Sequence, residues 1–149
     1  MRTSRQAVIR NACANGGRVG PGLIQQDWPE ELDALVAAPK HHCLLLENET
    51  VRVLDTRVAA GDTVPLHTHR WPSALYIVSW SDFVRRDGDG VMLVDSRAGE
   101  KLPVGGAVWS GPLGPHTLEN VGQSELRVIS VEVKVGGVYP PPLPILDPY

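Results

Sequence analysis

Short apolar runs alternate with turn residues along most of this chain. From residue 42 onward, runs rich in β-branched and aromatic residues recur about every ten residues, separated by Gly, Pro, Asn and Asp. The Asp-Gly pairs within 86–90 predict a tight hairpin turn, because these residues tolerate the positive φ of such turns. The sequence therefore predicts an all-β fold, a sandwich or a small antiparallel β-barrel. Its strands are predicted at 43–46, 51–58, 64–69, 73–83, 91–95, 105–109, 116–120 and 126–135.

A helical periodicity precedes the strands. Asp27 is a candidate N-cap, with Glu30 three residues later and Pro29 allowed in the first turn. Apolar residues then recur at helical spacing until Pro39 ends the pattern. The sequence predicts one short helix over residues 28–38, packed against the outside of the strands. The 15 Gly and 13 Pro argue against a helical bundle.

The two ends of the chain differ in composition from the middle. Residues 1–26 contain four arginines and no acidic residue, which predicts a flexible arm, with a cleaved targeting segment as the alternative. Residues 138–149 contain five prolines and are predicted to form an extended arm. That arm would pack across the barrel or a partner subunit, with a PxxP ligand as the alternative. Residues 27–137 then form a single domain.

Charge and cysteine content exclude several classes of protein. The net charge of −3 and the scattered basic residues give no footprint for nucleic acid. No apolar run is long enough to span a membrane. Cys13 and Cys43 are too few for a disulfide scaffold. We therefore expect a cytoplasmic protein with reduced thiols and a buried Cys43.

The histidines supply the candidate chemistry. His67 and His69 lie two residues apart in a predicted strand, so their imidazoles emerge on one face and could bind one metal ion, although two surface histidines would show the same spacing. His116 follows the turn residues 111–115, which could position a third ligand. His41 and His42 are adjacent and cannot face the same way on a strand, so both are predicted to be surface or strand-entry residues.

The residues around these histidines resemble the two motifs of the cupin family. The spacing of Gly61, His67 and His69 is that of the first motif. The second motif is matched by Gly106, Pro112, Gly114, His116 and Asn120. The one difference is that a single residue, rather than two, separates Gly114 from His116. The resemblance covers about residues 41–135. It implies a jelly roll, also called a double-stranded β-helix, with a metal in the mouth of the barrel and often a homodimer.

One residue of the cupin ligand set is missing. The first motif places a glutamate where Ser73 or Ala74 stands in this chain. The ligand set implied by the resemblance therefore reduces to the three histidines at 67, 69 and 116. Glu119 is the only carboxylate near the second motif, and strand alternation from His116 turns it toward the surface.

A centre of three neutral imidazoles leaves a divalent ion its full charge and open coordination positions. Such a centre favours anionic chelating ligands. Some cupin dioxygenases resemble this pattern in using three histidines, which favours Fe(II), while Zn, Ni or Mn would also fit. The sequence therefore suggests an oxidoreductase, a non-haem Fe(II) oxygenase that acts on a small anionic or enolisable molecule. The alternative is a metal-dependent small-ligand binding or sensor protein without turnover.

Residues beside these ligands are predicted to form the pocket. Ser73 stands in place of the glutamate and should face inward, with Leu75 and Ile77 on the same strand face. Leu118 and Asn120 are candidates because they share a strand face with His116. Trp71 follows the histidine pair and would lie at the rim of the pocket. Trp109 would line the pocket, with a place in the core as the alternative.

Overall fold

The computed structural model describes residues 27–134. The predicted arms at 1–26 and 138–149, and Cys13 with them, lie outside these residues. The described part contains nine strands: β1 (His42–Glu47), β2 (Val51–Val58), β3 (Thr63–His69), β4 (Ser73–Ser79), β5 (Phe83–Arg86), β6 (Met92–Asp95), β7 (Ala107–Ser110), β8 (Leu113–Asn120) and β9 (Leu126–Val133). The all-β prediction is confirmed.

The strands form two antiparallel sheets. One has the order β1-β2-β9-β4-β7 and the other has the order β3-β8-β5-β6. Apolar side chains fill the space that the strands enclose, and one buried cluster contains Ala38, Val58, Val64 and Leu126. This is the two-sheet arrangement of a jelly roll. Within residues 27–134 no helix is long and apolar enough to cross a membrane.

The run predicted as one strand over 73–83 is divided between the sheets. β4 belongs to the five-stranded sheet and β5 to the four-stranded sheet, so the chain changes sheet at residues 80–82. The Ser81 hydroxyl donates a hydrogen bond to the Asn120 side-chain carbonyl at 2.7 Å and helps to fix this crossing. β-propensity alone does not mark such a crossing, because the residues on both sides favour strand.

The predicted helix over 28–38 is interrupted. A 3₁₀ turn at Glu30–Leu32 and the short α-helix α1 (Ala34–Ala37) replace it. Asp33 separates them with an extended backbone and forms an isolated bridge to Thr68 of β3. The N-cap is Asp33, whose carboxylate accepts from the Leu35 N–H at 3.1 Å, and not Asp27. A tertiary contact to β3 therefore overrides the helical periodicity.

Cys43 is exposed rather than buried as expected. It lies on β1, an edge strand in which only the first residue, His42, is buried. An edge strand at the margin of the core leaves most of its side chains in solvent, which explains the error in the prediction.

Candidate metal centre

Four imidazole rings converge inside the barrel. His67 and His116 are directly opposed in the register of β3 and β8, and their ring centroids are 4.3 Å apart. The His69 centroid lies 5.1 Å from that of His67 and 6.0 Å from that of His116. His42, from β1, completes the cluster at 4.9 Å from His67 and 5.3 Å from His69. The three sequence-predicted ligands thus come together, and a fourth ring joins them.

His42 is a strand-entry residue as predicted, because β1 begins at it, but its side chain is buried rather than at the surface. The neighbouring His41 is also buried, and it pairs with Asp62 at 2.8 Å. The His41 carbonyl accepts from the Arg57 N–H of β2 at 2.9 Å, so the pairing with β2 begins at His41 and the two adjacent side chains point to opposite sides. The histidine pair was therefore a usable signal, because one of two adjacent side chains at the entry of such a strand faces inward.

The hydrogen bonds of the rings determine which nitrogen is free. The Nδ1 atoms of His42, His67 and His116 donate to the backbone carbonyls of Ala38, Pro65 and Gly114 at 3.0, 2.8 and 2.7 Å. Because a carbonyl only accepts, each Nδ1 carries the proton and each Nε2 keeps its lone pair. The Nε2 of His42 is buried without a hydrogen-bond partner in the described residues. An orphaned buried nitrogen of this kind fits a metal ligand.

Burial keeps these rings neutral, as metal ligation requires. Burial, followed by the nearby His69, lowers the pKa of His42 to about 4. Burial also lowers the pKa of His67, with His116 as the next cause. The pKa of His116 falls well below its usual value for the same reason, and the charge of Arg85 contributes. His42, His67 and His116 are therefore neutral donors at physiological pH.

His42, His67 and His69 form the tightest group. Among the described residues, these three offer one ligand atom each, and the three atoms all lie within 4.8 Å of one another. Two nitrogens bound to one ion at about 2.1 Å each are at most about 4.2 Å apart. The three rings therefore need only a small contraction to share an ion. The His116 ring adjoins His67 on the other side of this group.

Glu132 connects the centre to a buried ionic network that the sequence analysis missed. Its Oε1 accepts from Nδ1 of His69 at 2.7 Å, and its Oε2 accepts from Nε of Arg52 at 2.6 Å. Arg52 also holds both carboxylate oxygens of Asp33 at 3.0 Å. Burial would raise the pKa of Glu132, but His69 and Arg52 hold it below its usual value. The carboxylate therefore orients His69 while it stays charged.

The position of Glu132 relates it to the missing motif glutamate. Glu132 on β9 lies opposite Ser73 on β4, the residue that stands in the glutamate's place. The carboxylate thus approaches the centre from the neighbouring strand and acts through a histidine. A usable signal exists in the sequence, because Glu132 is the only acidic residue in β9 and most of its neighbours there are apolar.

A cavity of about 110 Å³ adjoins the histidines. At about 10–15 Å³ for each water-sized group, it has room for a small organic molecule. All four clustered histidines line it, and so do four of the predicted pocket residues, Ser73, Leu75, Ile77 and Leu118. Its remaining wall is largely apolar and includes Val58, Val64, Trp80, Phe83, Leu126 and Val128.

Three predicted pocket residues lie elsewhere, which corrects the sequence-based prediction. Trp71 follows the end of β3, where the Arg52 guanidinium lies 4.9 Å from its ring centroid. Trp109 on β7 is 53% exposed, on the outer face of the sheet. Asn120 is fully buried, but its amide donates to the carbonyls of Val58 and Ser124 at 2.8 Å instead of facing the cavity. Glu119 faces outward as predicted and pairs with Arg86 at 2.8 Å.

Replacement of Glu132 tests the role of this carboxylate. We expect Glu132→Gln to weaken metal affinity by about 10–100-fold, because the ring of His69 loses its charged orienting partner. The matched control is Glu119→Gln, the same substitution in an exposed ion pair. Zinc titration of the metal-free variants against a competing chelator measures the effect. Equal affinities for the two variants would show that Glu132 does not orient a ligand.

Solved structures with the cupin, or double-stranded β-helix, fold superpose on this chain. No protein-family model matches the chain, and no curated protein is similar to it in sequence. A cupin domain from Bordetella pertussis Tohama I superposes with a TM-score of 0.51 at 18% identity, over 62% of this chain and 91% of that one. A double-stranded β-helix protein from Klebsiella pneumoniae gives 0.46 at 17% identity, over 65% and 78% of the two chains. The polyketide cyclase RemF from Streptomyces resistomycificus gives 0.44 at 17%, over 65% and 67%.

Proposed function

We propose that this chain, which has the cupin fold, is a metal-dependent enzyme that acts on a small anionic or enolisable substrate, with Fe(II) as its ion and dioxygen as co-substrate. The observation that carries the proposal is the cluster of four imidazoles on the wall of a largely apolar cavity. A set of imidazole donors suits Fe, Zn and Ni. Bound Fe(II) would supply redox chemistry with dioxygen, whereas Zn(II) would supply only Lewis-acid chemistry.

The residues that would hold the ion are His67 and His69, flanked by His42 and His116. Each of these rings except His69 is anchored by a backbone carbonyl, and His69 is anchored by Glu132. Rings fixed in this way lose little freedom when they ligate, so the centre is preorganised.

The other cavity residues control what reaches the centre. Apolar side chains from both sheets, such as Val64 of β3 and Val128 of β9, exclude bulk water from it. A dry cavity strengthens the attraction between a cationic centre and an anion, because the local dielectric constant is low. Ser73 and Ser130 add hydroxyl groups to the wall, and the Ser130 Oγ is buried without a partner among the described residues. These hydroxyls are available to hydrogen-bond a bound substrate.

A metal-dependent binding or sensor protein is the second candidate. The fourth ring, His42, favours it, because four protein ligands leave an ion fewer free positions than three would. A binding protein would take up its ligand equally well with Zn(II) or Fe(II), and mass action would then stabilise the fold.

Oxygen consumption distinguishes the two candidates. Diketones, thiols and small carboxylates are screened by thermal shift on Fe(II)- and Zn(II)-loaded protein, and each hit is tested in an oxygen electrode. The enzyme proposal predicts oxygen uptake only when Fe(II) and substrate are both present, and none with Zn(II) or with Fe(II)-treated His67→Ala. Hits that stabilise both metal forms without oxygen uptake would establish the binding protein instead.

A further inference from the structure

We infer that Arg85 anchors a carboxylate group of the substrate, so that the cavity selects a small acid with an apolar body. The inference rests on the proposed function at the same cavity and specifies its substrate class. It follows from the position of Arg85, from its lack of a partner and from the composition of the cavity wall.

Strand alternation turns Arg85 toward the cavity. It lies on β5, opposite Leu118 of β8, and both residues line the cavity. The next residue, Arg86, faces the other way and forms an ion pair with Glu119 at 2.8 Å. The two adjacent arginines therefore have opposite surroundings: Arg86 is paired with a carboxylate on the outer side of the sheet, and Arg85 is directed to the interior.

Arg85 has no anionic partner in the described part of the chain. Within residues 27–134 it makes no salt bridge and no side-chain hydrogen bond, and its Nε is buried without a partner. The Phe83 ring centroid lies 5.6 Å from its guanidinium carbon. By contrast, Arg52, Arg57 and Arg127 all hold carboxylates. A half-buried cation whose buried Nε has no partner in the described residues is costly, so its presence on a cavity wall points to an anionic ligand.

The rest of the wall fits the same ligand. Among the described residues that line the cavity, Arg85 is the only Lys, Arg, Asp or Glu. Burial lowers its pKa to about 10, which leaves the guanidinium charged at neutral pH. Most other lining side chains are aliphatic or aromatic, and these suit a hydrocarbon body. The guanidinium binds a carboxylate through two parallel hydrogen bonds, which fixes the orientation of the acid as well as its charge.

The histidine cluster lies within reach of the charge of Arg85. Arg85 lies opposite Leu118, which is two residues from His116 on the same face of β8, and all three residues line the cavity. An acid held by Arg85 would therefore have its apolar body in the cavity beside the proposed metal centre.

Matched acid and amide pairs test this inference. Binding of the straight-chain acids from acetate to octanoate, and of benzoate, is measured by calorimetry on zinc-loaded protein and compared with binding of the corresponding amides. Wild-type protein is expected to prefer at least one acid over its amide by about tenfold or more. Arg85→Met should lose this preference, Arg85→Lys should keep part of it, and Arg86→Met should keep it fully.

Two further readouts separate this inference from the proposed function. Metal content is measured on every variant, and Arg85→Met should keep the wild-type content, since no imidazole is changed. Its free energy of unfolding should be equal or higher, because an unpaired, half-buried charge is removed. Acid preference that survives in Arg85→Met, or no preference in wild-type protein, would overturn the inference whatever the metal content. Loss of metal binding with an intact acid preference would contradict the proposed function alone.

Discussion

Replacement of His67 with alanine is expected to reduce bound metal from about one ion per chain to nearly none. His67 lies at the centre of the cluster, because its centroid is 4.9 Å from that of His42, 5.1 Å from that of His69 and 4.3 Å from that of His116, shorter distances than the other rings have to the cluster as a whole. His67 belongs both to the set with His42 and His69 and to the set with His69 and His116, so its removal takes a donor from either set of ligands. Elemental analysis of dialysed protein after loading with Zn(II) measures the loss.

The remaining histidines provide controls and a finer test. His41→Ala should keep full occupancy, because His41 pairs with Asp62 outside the cluster. His42→Ala and His116→Ala show which flanking ring ligates. Equal weakening in both would indicate four ligands, and an effect of only one would select a three-histidine set. Full occupancy in His67→Ala would refute the site.

Replacement of Arg52 with methionine is expected to destabilise the fold by about 3–5 kcal/mol. Arg52 is 5% exposed and joins Asp33, which caps α1, to Glu132, which is completely buried. Without the guanidinium, two buried carboxylates lose their counter-ion and at least one has to take up a proton. Urea unfolding of the metal-free protein measures the change in the free energy of unfolding.

Arg57→Met is the matched control for this prediction. Arg57 also pairs with a carboxylate, Asp55, at 2.9 Å, but its side chain is 52% exposed. Such a pair contributes about 0–1 kcal/mol. Similar losses in the two variants would show that the buried network does not stabilise the fold as argued.

Much of the fold could be predicted from the sequence, because the strand signals are local. Period-2 alternation and turn residues located the strands, and Val51–Val58 matches its predicted bounds. The features that were missed depend on contacts distant in sequence. The bridge between Asp33 and Thr68 interrupts the predicted helix, and the strand signal is continuous where the chain leaves β4 for β5.

The sequence likewise predicted some residues of the candidate site and missed others. The spacing of His67 and His69 and the resemblance of the second motif identified three of the four clustered rings. His42 and Glu132 were missed because the register of β1 and β9 against their neighbours decides which of their faces turns inward. Arg85 was missed because a predicted hairpin with two adjacent arginines has no local feature that distinguishes the inward one from the outward one.

Anomalous diffraction from crystals of zinc-loaded protein, recorded at the zinc absorption edge, tests the central claim most directly. We expect one strong peak among the four imidazoles, about 2.1 Å from Nε2 of both His67 and His69 and of at least one flanking ring. A peak bound through the Nδ1 atoms, or no peak among these rings in crystals that contain zinc elsewhere, would contradict it.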